Sequence, residues 1–280
     1  MRMTRSEFIA WPNKAITLMG MSGVGKTTLA YKLPKSTWFH FSGDYRIGTK
    51  YLAEPILDNI KQQAMQVDFL RDLLRSDSIY IDSNITVHNL ESIATFLGKI
   101  GRSDQGGLSV NEFNRRQNLH RTAEIGAMRD VSEFIEKANQ IYGYDHFIND
   151  AGGSICELDD DETMQTLAKH TLILYLRADK NLEKTLIQRA LDNPKPMYYQ
   201  AQFLRENLDE YLKVGGLASA DDIVPDQFAS WVFPRLVEHR KPKYQKLADT
   251  YGYTVDARLI AEADDETDFL ELVAGTLEQG

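Results

Sequence analysis

The sequence has a single cysteine, Cys156, and it has no apolar run long enough to cross a bilayer, which takes about 20 residues. One cysteine excludes an internal disulfide and a multi-cysteine metal site, and it is typical of a reducing compartment. The N-terminal segment 1–18 lacks the uninterrupted apolar stretch of a secretory signal. These features predict a cytoplasmic protein without a membrane partner.

Basic residues are also in short supply. The chain has 32 Lys and Arg against 41 Asp and Glu, a formal net charge of −9. Because nucleic-acid surfaces need clustered cations, a large one is not expected. The six histidines show no spacing typical of a metal site. The hydrophobic share of 42% and the length of 280 residues favour one elaborated domain over 1–280 that buries a sizeable core; the oligomeric state stays open.

Short apolar or β-branched runs alternate with longer helical patterns, such as 120–142 and 228–251. This alternation predicts an α/β, three-layer fold with a mostly parallel sheet. Pro234 and Pro242 predict helix starts or breaks. The predicted strands are 15–19, 37–41, 78–81, 146–150, 171–176 and 253–256.

Two segments interrupt the alternation. Residues 50–119 follow the second predicted strand and are predicted to form an inserted helical cap. Residues 190–230 contain the polar, glycine-containing stretch KVGGLASADD and are predicted to form a lid. Long insertions inside a compact domain are usually lids or binding loops.

The stretch LMGMSGVGKTTL, residues 18–29, matches the pattern G-x-x-x-x-G-K-[ST] without deviation. It follows a predicted strand and opens a helical pattern, which is the context that this phosphate-binding loop requires. Lys26 is expected to neutralise the β- and γ-phosphates of ATP, and the Thr27 hydroxyl to ligate Mg²⁺. The predicted nucleotide-binding residues are Gly20, Met21, Ser22, Gly23, Val24, Gly25, Lys26, Thr27 and Thr28.

Four further stretches, in chain order, resemble the shikimate kinase and gluconate kinase group of small P-loop phosphotransferases. FSGDYRIG (41–48) looks like that group's strand-end aspartate, which implies that Asp44 contacts the acceptor hydroxyl or the water shell of the metal. FINDAGGSICE (147–157) looks like its glycine run, which implies that the backbone at Gly152 and Gly153 approaches the acceptor.

The other two stretches lie closer to the C-terminus. LYLRADKNLEKTLIQRALDNPKP (174–196) is similar to the group's strand, helix and basic lid, with Arg189 and Lys195 at the lid positions. LVEHRKPKYQKLADTYGYTVDA (236–257) resembles its closing helix and strand, which implies that Arg240 binds an anionic part of the acceptor. Ser42 stands where the group often has a second aspartate, so the identity of the acceptor stays open.

Phosphoryl transfer requires cations on both sides of the γ-phosphate, a metal, and a carboxylate that orients or deprotonates the acceptor. Lys26 and Mg²⁺ are expected on one side, Arg189 or Lys195 on the other, and Asp44 as the carboxylate. Asp150 ends an apolar strand and is the favoured carboxylate for Mg²⁺. Asp82, after the run SIYI, competes with it.

Two clusters allow alternative interpretations. Arg115, Arg116 and Arg121 follow a glycine-rich loop; they either clamp an anion or form pairs within a helix. Tyr198 and Tyr199 are either packing residues or a stacking slot for a base.

The function favoured by these features is ATP- and Mg²⁺-dependent phosphorylation of a small, anionic or polyhydroxylated metabolite. This metabolite would bind between the phosphate loop, Asp44, Gly152, Gly153 and Arg240. A P-loop ATPase acting as a regulatory switch is the rival from another class. A kinase of nucleosides, nucleotides or nucleic-acid ends is the third interpretation.

Overall fold

The computed structural model describes residues 1–278. Within them, a parallel sheet of five strands runs in the order β2-β3-β1-β4-β5. Because all five strands are parallel, their carboxyl ends lie at one edge of the sheet. The strands are β1 (Ala15–Met19), β2 (Trp38–Ser42), β3 (His146–Asp150), β4 (Leu172–Arg177) and β5 (Gly252–Asp256).

Helices surround this sheet. The first half of the chain contributes α1 (Arg5–Ala10), α2 (Lys26–Lys32), α3 (Gly43–Arg46), a π-helical turn (Ile47–Tyr51), α4 (Ala53–Ala64), α5 (Asp68–Arg75), α6 (Glu91–Leu97), α7 (Val110–Arg129) and α8 (Val131–Gln140). The second half contributes α9 (Asp161–His170), α10 (Lys180–Asp192), α11 (Ala201–Gly215), α12 (Pro225–Tyr251), α13 (Ala257–Glu262) and α14 (Glu266–Thr276).

The sheet is buried on both faces, and its strands β1 and β4 are mostly apolar. All five residues of β1 are buried. One face packs on a core that includes Phe41, Met128 and Tyr244, and the other on a core that includes Leu29 and Phe269. This arrangement confirms the predicted three-layer α/β fold of a P-loop protein with a parallel sheet.

The run at 78–81 is not a strand. Residues 79–84 have no regular secondary structure, and Tyr80 is 88% exposed. The prediction was wrong because a short apolar run forms a strand only where sheet neighbours accept its backbone hydrogen bonds, and this run lies away from the sheet. The other five predicted strands are present, with ends shifted by at most one residue.

The helical patterns are confirmed, with different boundaries. The pattern at 120–142 divides at Asp130 into α7 and α8, and α7 begins ten residues earlier, at Val110. The expectation that Pro234 and Pro242 start or break helices is wrong, because both lie inside α12. An interior proline costs about 3 kcal/mol. Ten buried side chains of α12 offset that cost by packing on the sheet and its neighbours.

The two interrupting segments are mostly helical. Between β2 and β3, α4, α5 and α6 lie within residues 53–97, with a non-helical loop over 76–90. Residues 193–200, between α10 and α11, have no regular secondary structure. A third apolar cluster joins α7, α11 and α12 through Phe113, Phe203 and Phe228. The roles of 50–119 as a cap and 190–230 as a lid stay predictions.

In the described part of the chain, no helix combines the length and the apolar character needed to span a bilayer.

A chain of polar side chains crosses the centre of the sheet. Asn149 Nδ2 donates to Thr17 Oγ1 at 3.1 Å, Thr17 Oγ1 lies 2.9 Å from Thr171 Oγ1, and Thr171 Oγ1 donates to the carbonyl of Leu167. Thr17, Asn149 and Thr171 are fully buried. Their hydroxyls and amide therefore depend on one another for hydrogen bonds.

We expect Thr17→Val to lower the free energy of unfolding by about 1–3 kcal/mol, because a methyl group of similar volume leaves Asn149 Nδ2 without its oxygen acceptor. Urea unfolding should show a lower midpoint with an unchanged slope. Thr17→Ser, which keeps the hydroxyl, is the control and should lose less. A Val variant as stable as the Ser variant would contradict this account.

Candidate active site

The phosphate loop lies between β1 and α2, at the carboxyl edge of the sheet. Gly23 and Gly25 have φ angles of 83° and 108°, which residues with side chains rarely adopt. Gly25 is the N-cap of α2. A side chain at Gly20 would meet the carbonyl oxygen of Leu176 at 2.9 Å. The loop therefore has the left-handed backbone that directs N–H groups inward at an anion.

Lys26 is buried at the base of this loop, with 6% of its surface exposed. Its ammonium donates to the carbonyls of Gly20 at 2.8 Å and Met21 at 3.2 Å. Burial lowers its pKa, and the charges of three carboxyl groups act in the opposite direction; these belong to Asp150, Asp44 and Glu124. A buried cation is thus surrounded by acidic side chains from three other elements of the fold.

Asp150 ends β3 beside the start of α2. Its Oδ2 accepts a hydrogen bond from Thr27 Oγ1 at 2.5 Å and lies 3.9 Å from His40 Nε2. Burial alone would raise the pKa of Asp150, but His40, Lys26 and Thr27 outweigh it and hold the pKa below its usual value. Asp150 is therefore ionised at neutral pH.

Asp150 and Thr27 together fit Mg²⁺. A carboxylate and a hydroxyl are hard oxygen ligands, and Mg²⁺ in nucleotide sites is usually held by one or two such groups and by phosphate oxygens. Within residues 1–278, no group of three or more His, Cys, Asp and Glu side chains is placed to hold a metal ion. A metal at Thr27 and Asp150 would therefore need phosphate oxygens or water as further ligands. Asp82, the competing residue, is exposed and accepts from the backbone N–H of Ser83 in the loop after α5.

Asp44 lies in α3, directly after β2. Ser42, the last residue of β2, pairs in register with Asp150 and caps α3 by accepting from Tyr45 N. Asp44 is exposed and faces the cleft, which we define as the space between the phosphate loop, Asp44 and the pair Gly152 and Gly153. Desolvation and the charge of Asp150 raise its pKa to about 6, and Lys26 acts in the opposite direction. Its pKa thus lies close to the range in which a general base is most effective.

Gly152 and Gly153 connect the acidic side of the cleft to the phosphate loop. A Cβ at Gly152 would lie 2.5 Å from Glu124 Oε1 and 3.3 Å from Asp44 Oδ1. A Cβ at Gly153 would lie 3.1 Å from the backbone nitrogen of Ser22. The glycine pair is therefore required for close packing, which a larger side chain at Gly152 would disrupt.

The resemblance implied that Arg240 binds an anionic part of the acceptor, but its guanidinium does not face the cleft. Only 1% of the residue is exposed, and Nε donates to Glu157 Oε2 at 2.7 Å. The other two nitrogens donate to the carbonyls of Gly153 and Tyr198, each at 2.8 Å. All three nitrogens are occupied by groups of the chain itself, so Arg240 holds Gly153 in place rather than offering a free cation.

Arg189 and Lys195 are exposed and line a cavity of about 500 Å³ beside Ser22 and Gly23 of the phosphate loop. The rest of its wall is mostly apolar but includes two polar residues; it consists of Leu186, Ala190, Asp192, Asn193, Pro194, Met197, Ala229 and Phe233. A second cavity, of about 520 Å³, lies at the other end of the loop. Its lining includes Gly25, Thr28, Leu182, Arg189, Arg258 and Ile260. Arg189 is therefore shared by the cavities at the two ends of the loop.

The two clusters with alternative interpretations make contacts within the fold. Arg115 and Arg116 pair with Glu112, and Arg121 donates to the carbonyl of Leu158. Tyr198 is buried and stacks on His120, with ring centroids 5.6 Å apart.

Tyr199 is also buried, between Phe113 and Phe203. Both tyrosines also line a cavity of about 640 Å³ together with Arg121 and Arg205, so their interpretation as a stacking slot stays a prediction.

Sequence reasoning missed the buried residues behind the glycine pair, which are His120, Glu124, Ser154 and Glu157. Ser154 donates to Glu124 Oε2 at 2.5 Å. The one signal for Glu124 was a charged residue in line with apolar neighbours at helical spacing, such as Ala127 and Met128. Spacing alone does not show which residues such a helix faces.

No family model matches the chain, and no curated protein matches it. Among solved structures, a shikimate kinase from Bacteroides thetaiotaomicron is similar over 95% of this chain and 97% of that one, with 16% identity and a TM-score of 0.40. A likeness this distant carries no argument about activity. The assignment of a P-loop α/β fold is based on the parallel sheet and the glycine loop.

We expect Glu157→Gln to lower the free energy of unfolding by about 3–5 kcal/mol, because it leaves the buried guanidinium of Arg240 without its counter-charge. Glu183→Gln is the matched control: Glu183 pairs with the partly exposed Lys241, and a pair near the surface is worth about 0–1 kcal/mol. Urea unfolding of both variants measures the difference. Equal losses would show that the Glu157–Arg240 pair does not stabilise the glycine turn.

Proposed function

We propose that this protein is a phosphotransferase that uses ATP and Mg²⁺ to phosphorylate a hydroxyl group of a small metabolite. The observation that carries this proposal is the position of Asp44. Its carboxylate is accessible in the cleft, close enough to Lys26 and Asp150 for their charges to change its pKa. A P-loop protein that only hydrolyses its nucleotide does not require a second accessible carboxylate on the side where an acceptor would approach.

The donor side is supported by the phosphate loop and the cavity next to it. The triphosphate would lie along Gly23, Gly25 and Lys26, where backbone N–H groups and the buried ammonium provide positive charge. Leu182 and Ile260 give the cavity beside Thr28 an apolar wall suited to a base, and Arg258 gives it a cation. Thr27 and Asp150 would hold Mg²⁺, which neutralises charge on the phosphates when bound.

The acceptor side is supported by the cavity at the Ser22 end of the loop. Ser22 contacts this cavity and also packs against Gly153, so the cavity adjoins the wall formed by the glycine pair. In our proposal the reactive hydroxyl lies at Asp44, which takes its proton while the hydroxyl oxygen bonds to the γ-phosphorus and ADP leaves. Arg189 and Lys195 would neutralise the equatorial oxygens from the opposite side.

Within this proposal, a polyhydroxylated acceptor is favoured over an anionic one. Arg240, which the resemblance assigned to an anionic group, is paired with Glu157. The remaining cations near the loop, Lys26, Arg189 and Lys195, have a role on the phosphates of ATP. A neutral acceptor rich in hydroxyl groups is compatible with Asp44, because a carboxylate accepts hydrogen bonds from hydroxyls.

Incubation with γ-labelled ATP, Mg²⁺ and a pool of metabolites tests the proposal. The expected result is that label moves to a small molecule. Label recovered only as free phosphate, across a broad pool, would favour the rival, an ATPase acting as a switch.

We expect Asp44→Asn to reduce transfer by about 10²–10⁴-fold, the usual contribution of a general base, while the affinity for ATP stays close to that of the wild type. The asparagine keeps the shape of the side chain and removes its basicity. Lys26→Ala is the control and should abolish transfer together with nucleotide binding. Isothermal titration with a non-hydrolysable ATP analogue separates the two effects. Equal loss of binding in both variants would remove Asp44 from this role.

We expect Arg189→Ala to lower kcat by about 10²–10³-fold, as is typical when one donor to a developing negative charge is removed. Lys184→Ala on the same helix is the matched control, because Lys184 lies outside both cavities of the phosphate loop. Steady-state kinetics with the identified acceptor measures both variants. If the two variants have the same kcat, Arg189 is a surface charge with no part in transfer.

A further inference from the structure

Glu124, on α7, is a buried acid that the transfer reaction proposed here does not use. None of its surface is exposed. Its Oε2 accepts a hydrogen bond from Ser154 Oγ at 2.5 Å, whereas its Oε1 has no hydrogen-bond partner. A fully buried carboxylate with no cation paired to it is costly, and protonation lowers that cost because it removes the charge. The surroundings of Glu124 thus favour its neutral form.

Glu124 lies directly behind the pair Gly152 and Gly153, which we call the acceptor wall of the cleft. A Cβ on Gly152 would lie 2.5 Å from Glu124 Oε1, and the same atom would lie 3.3 Å from Asp44 Oδ1. The backbone of Gly152 therefore has both carboxyl groups close to it. A charge on Glu124 would act on Asp44 and on the phosphoryl group during transfer, across a medium of low dielectric constant.

None of the charged groups around Glu124 pairs with it. His120 Nδ1 is 3.8 Å from Oε2, and burial, followed by the charge of Arg240, lowers the pKa of His120 to about 4, so this imidazole is neutral at pH 7. Arg240 is paired with Glu157. The titratable groups that face Glu124 or act on it from its own and neighbouring elements are Lys26, Asp44, His120, Cys156, Glu157, Tyr198, Arg240 and Tyr244.

The combined effect of these groups on the pKa of Glu124 agrees with its complete burial. Burial raises the pKa of Glu124 to about 7, and the charges of Asp44 and Glu157 act in the same direction. The hydrogen bond from Ser154 and the charge of Arg240 oppose them. The triphosphate of ATP would add further negative charge near Lys26, which favours the protonated form still more.

We propose that Glu124 works as a neutral buried acid, which holds the Gly152–Ser154 turn in place through Ser154 and keeps negative charge away from the acceptor wall. It is a positioning residue, because it touches the turn and not the reacting atoms. Its effect on rate rests on the proposed phosphotransfer. Its neutral state is a property of the folded chain and can be measured without an acceptor.

Unfolding of the wild type and of Glu124→Gln, at several pH values, tests the neutral state. A folded-state pKa raised from 4.5 to about 7 means that the folded protein binds the proton more tightly than the unfolded chain. Stability contributed by Glu124 is therefore full below pH 4.5, falls as the pH rises to about 7, and is constant above it. Glutamine does not titrate, so the folding constant of the variant relative to wild type should rise by roughly 10²-fold over that window. A ratio independent of pH would overturn the proposal.

Kinetics with γ-labelled ATP and the acceptor found in the metabolite pool tests the positioning role. Glu124→Gln, which keeps the shape and the hydrogen bond to Ser154, should retain kcat within about threefold, whereas Glu124→Ala should lose about 10- to 100-fold through a displaced turn. The wild-type rate should fall as the pH rises above about 7, where Glu124 ionises, and the Gln variant should lack this fall. A Gln variant as impaired as the Ala variant, or an unchanged fall in the Gln variant, would overturn it.

Glu157→Gln is the matched control for both measurements. Glu157 is equally buried but is paired with Arg240, so the same substitution should destabilise the protein at every pH at which the glutamate is ionised. If no acceptor is found, the proposed phosphotransfer fails while the unfolding experiment still decides whether Glu124 is neutral. If phosphotransfer is found and the unfolding ratio does not change with pH, the inference about Glu124 fails alone.

Discussion

The buried ammonium of Lys26 is the charge on which the arrangement of the cleft depends. It is 6% exposed and lies near the carboxyl groups of Asp150, Asp44 and Glu124, among which the charge of Asp150 acts on it most strongly. A buried cation is tolerated when carboxyl groups and hydrogen-bond acceptors compensate for lost hydration. The three carboxyls belong to β3, α3 and α7, far apart in the chain. The strand order places β3 between β1 and β2, so Asp150 and Asp44 follow adjacent strand ends beside the loop that carries Lys26.

The three carboxyl groups have different surroundings, and different protonation states follow. Asp150 has Thr27, His40 and Lys26 around it, and its pKa lies below the usual value. Asp44 has Lys26 but also the charge of Asp150, and its pKa is about 6. Glu124 has no cation of its own, and its pKa is about 7. Acids whose surroundings separate their pKa values can take separate roles, which in our proposals are metal ligand, base and neutral support.

The parts of the fold that could be predicted from the sequence are those determined by local backbone chemistry. The glycine loop before Lys26 and most of the apolar strands can be recognised from their residues alone. Because parallel strands end at one edge of a sheet, Asp44 and Asp150 could also be predicted to lie close together. The partner of Arg240 could not be predicted, because Glu157 is 83 residues away and their pairing depends on how α12 packs. Tyr80 belongs to a run with the composition of a strand, but strand formation requires neighbours that a short segment cannot reveal.

The buried ion pair of Arg240 and Glu157 holds two backbone segments in place beside the phosphate loop. One guanidinium nitrogen holds the carbonyl of Gly153, whose backbone packs against Ser22 in the phosphate loop. Another holds the carbonyl of Tyr198, which lies in the same irregular segment as Lys195. Because Glu157 fixes the orientation of the guanidinium, these two walls are tied to one rigid point in α12. If Lys195 moves toward the phosphates, as our proposed function requires, the change would therefore take place between the end of α10 and Tyr198, while the glycine turn stays in place.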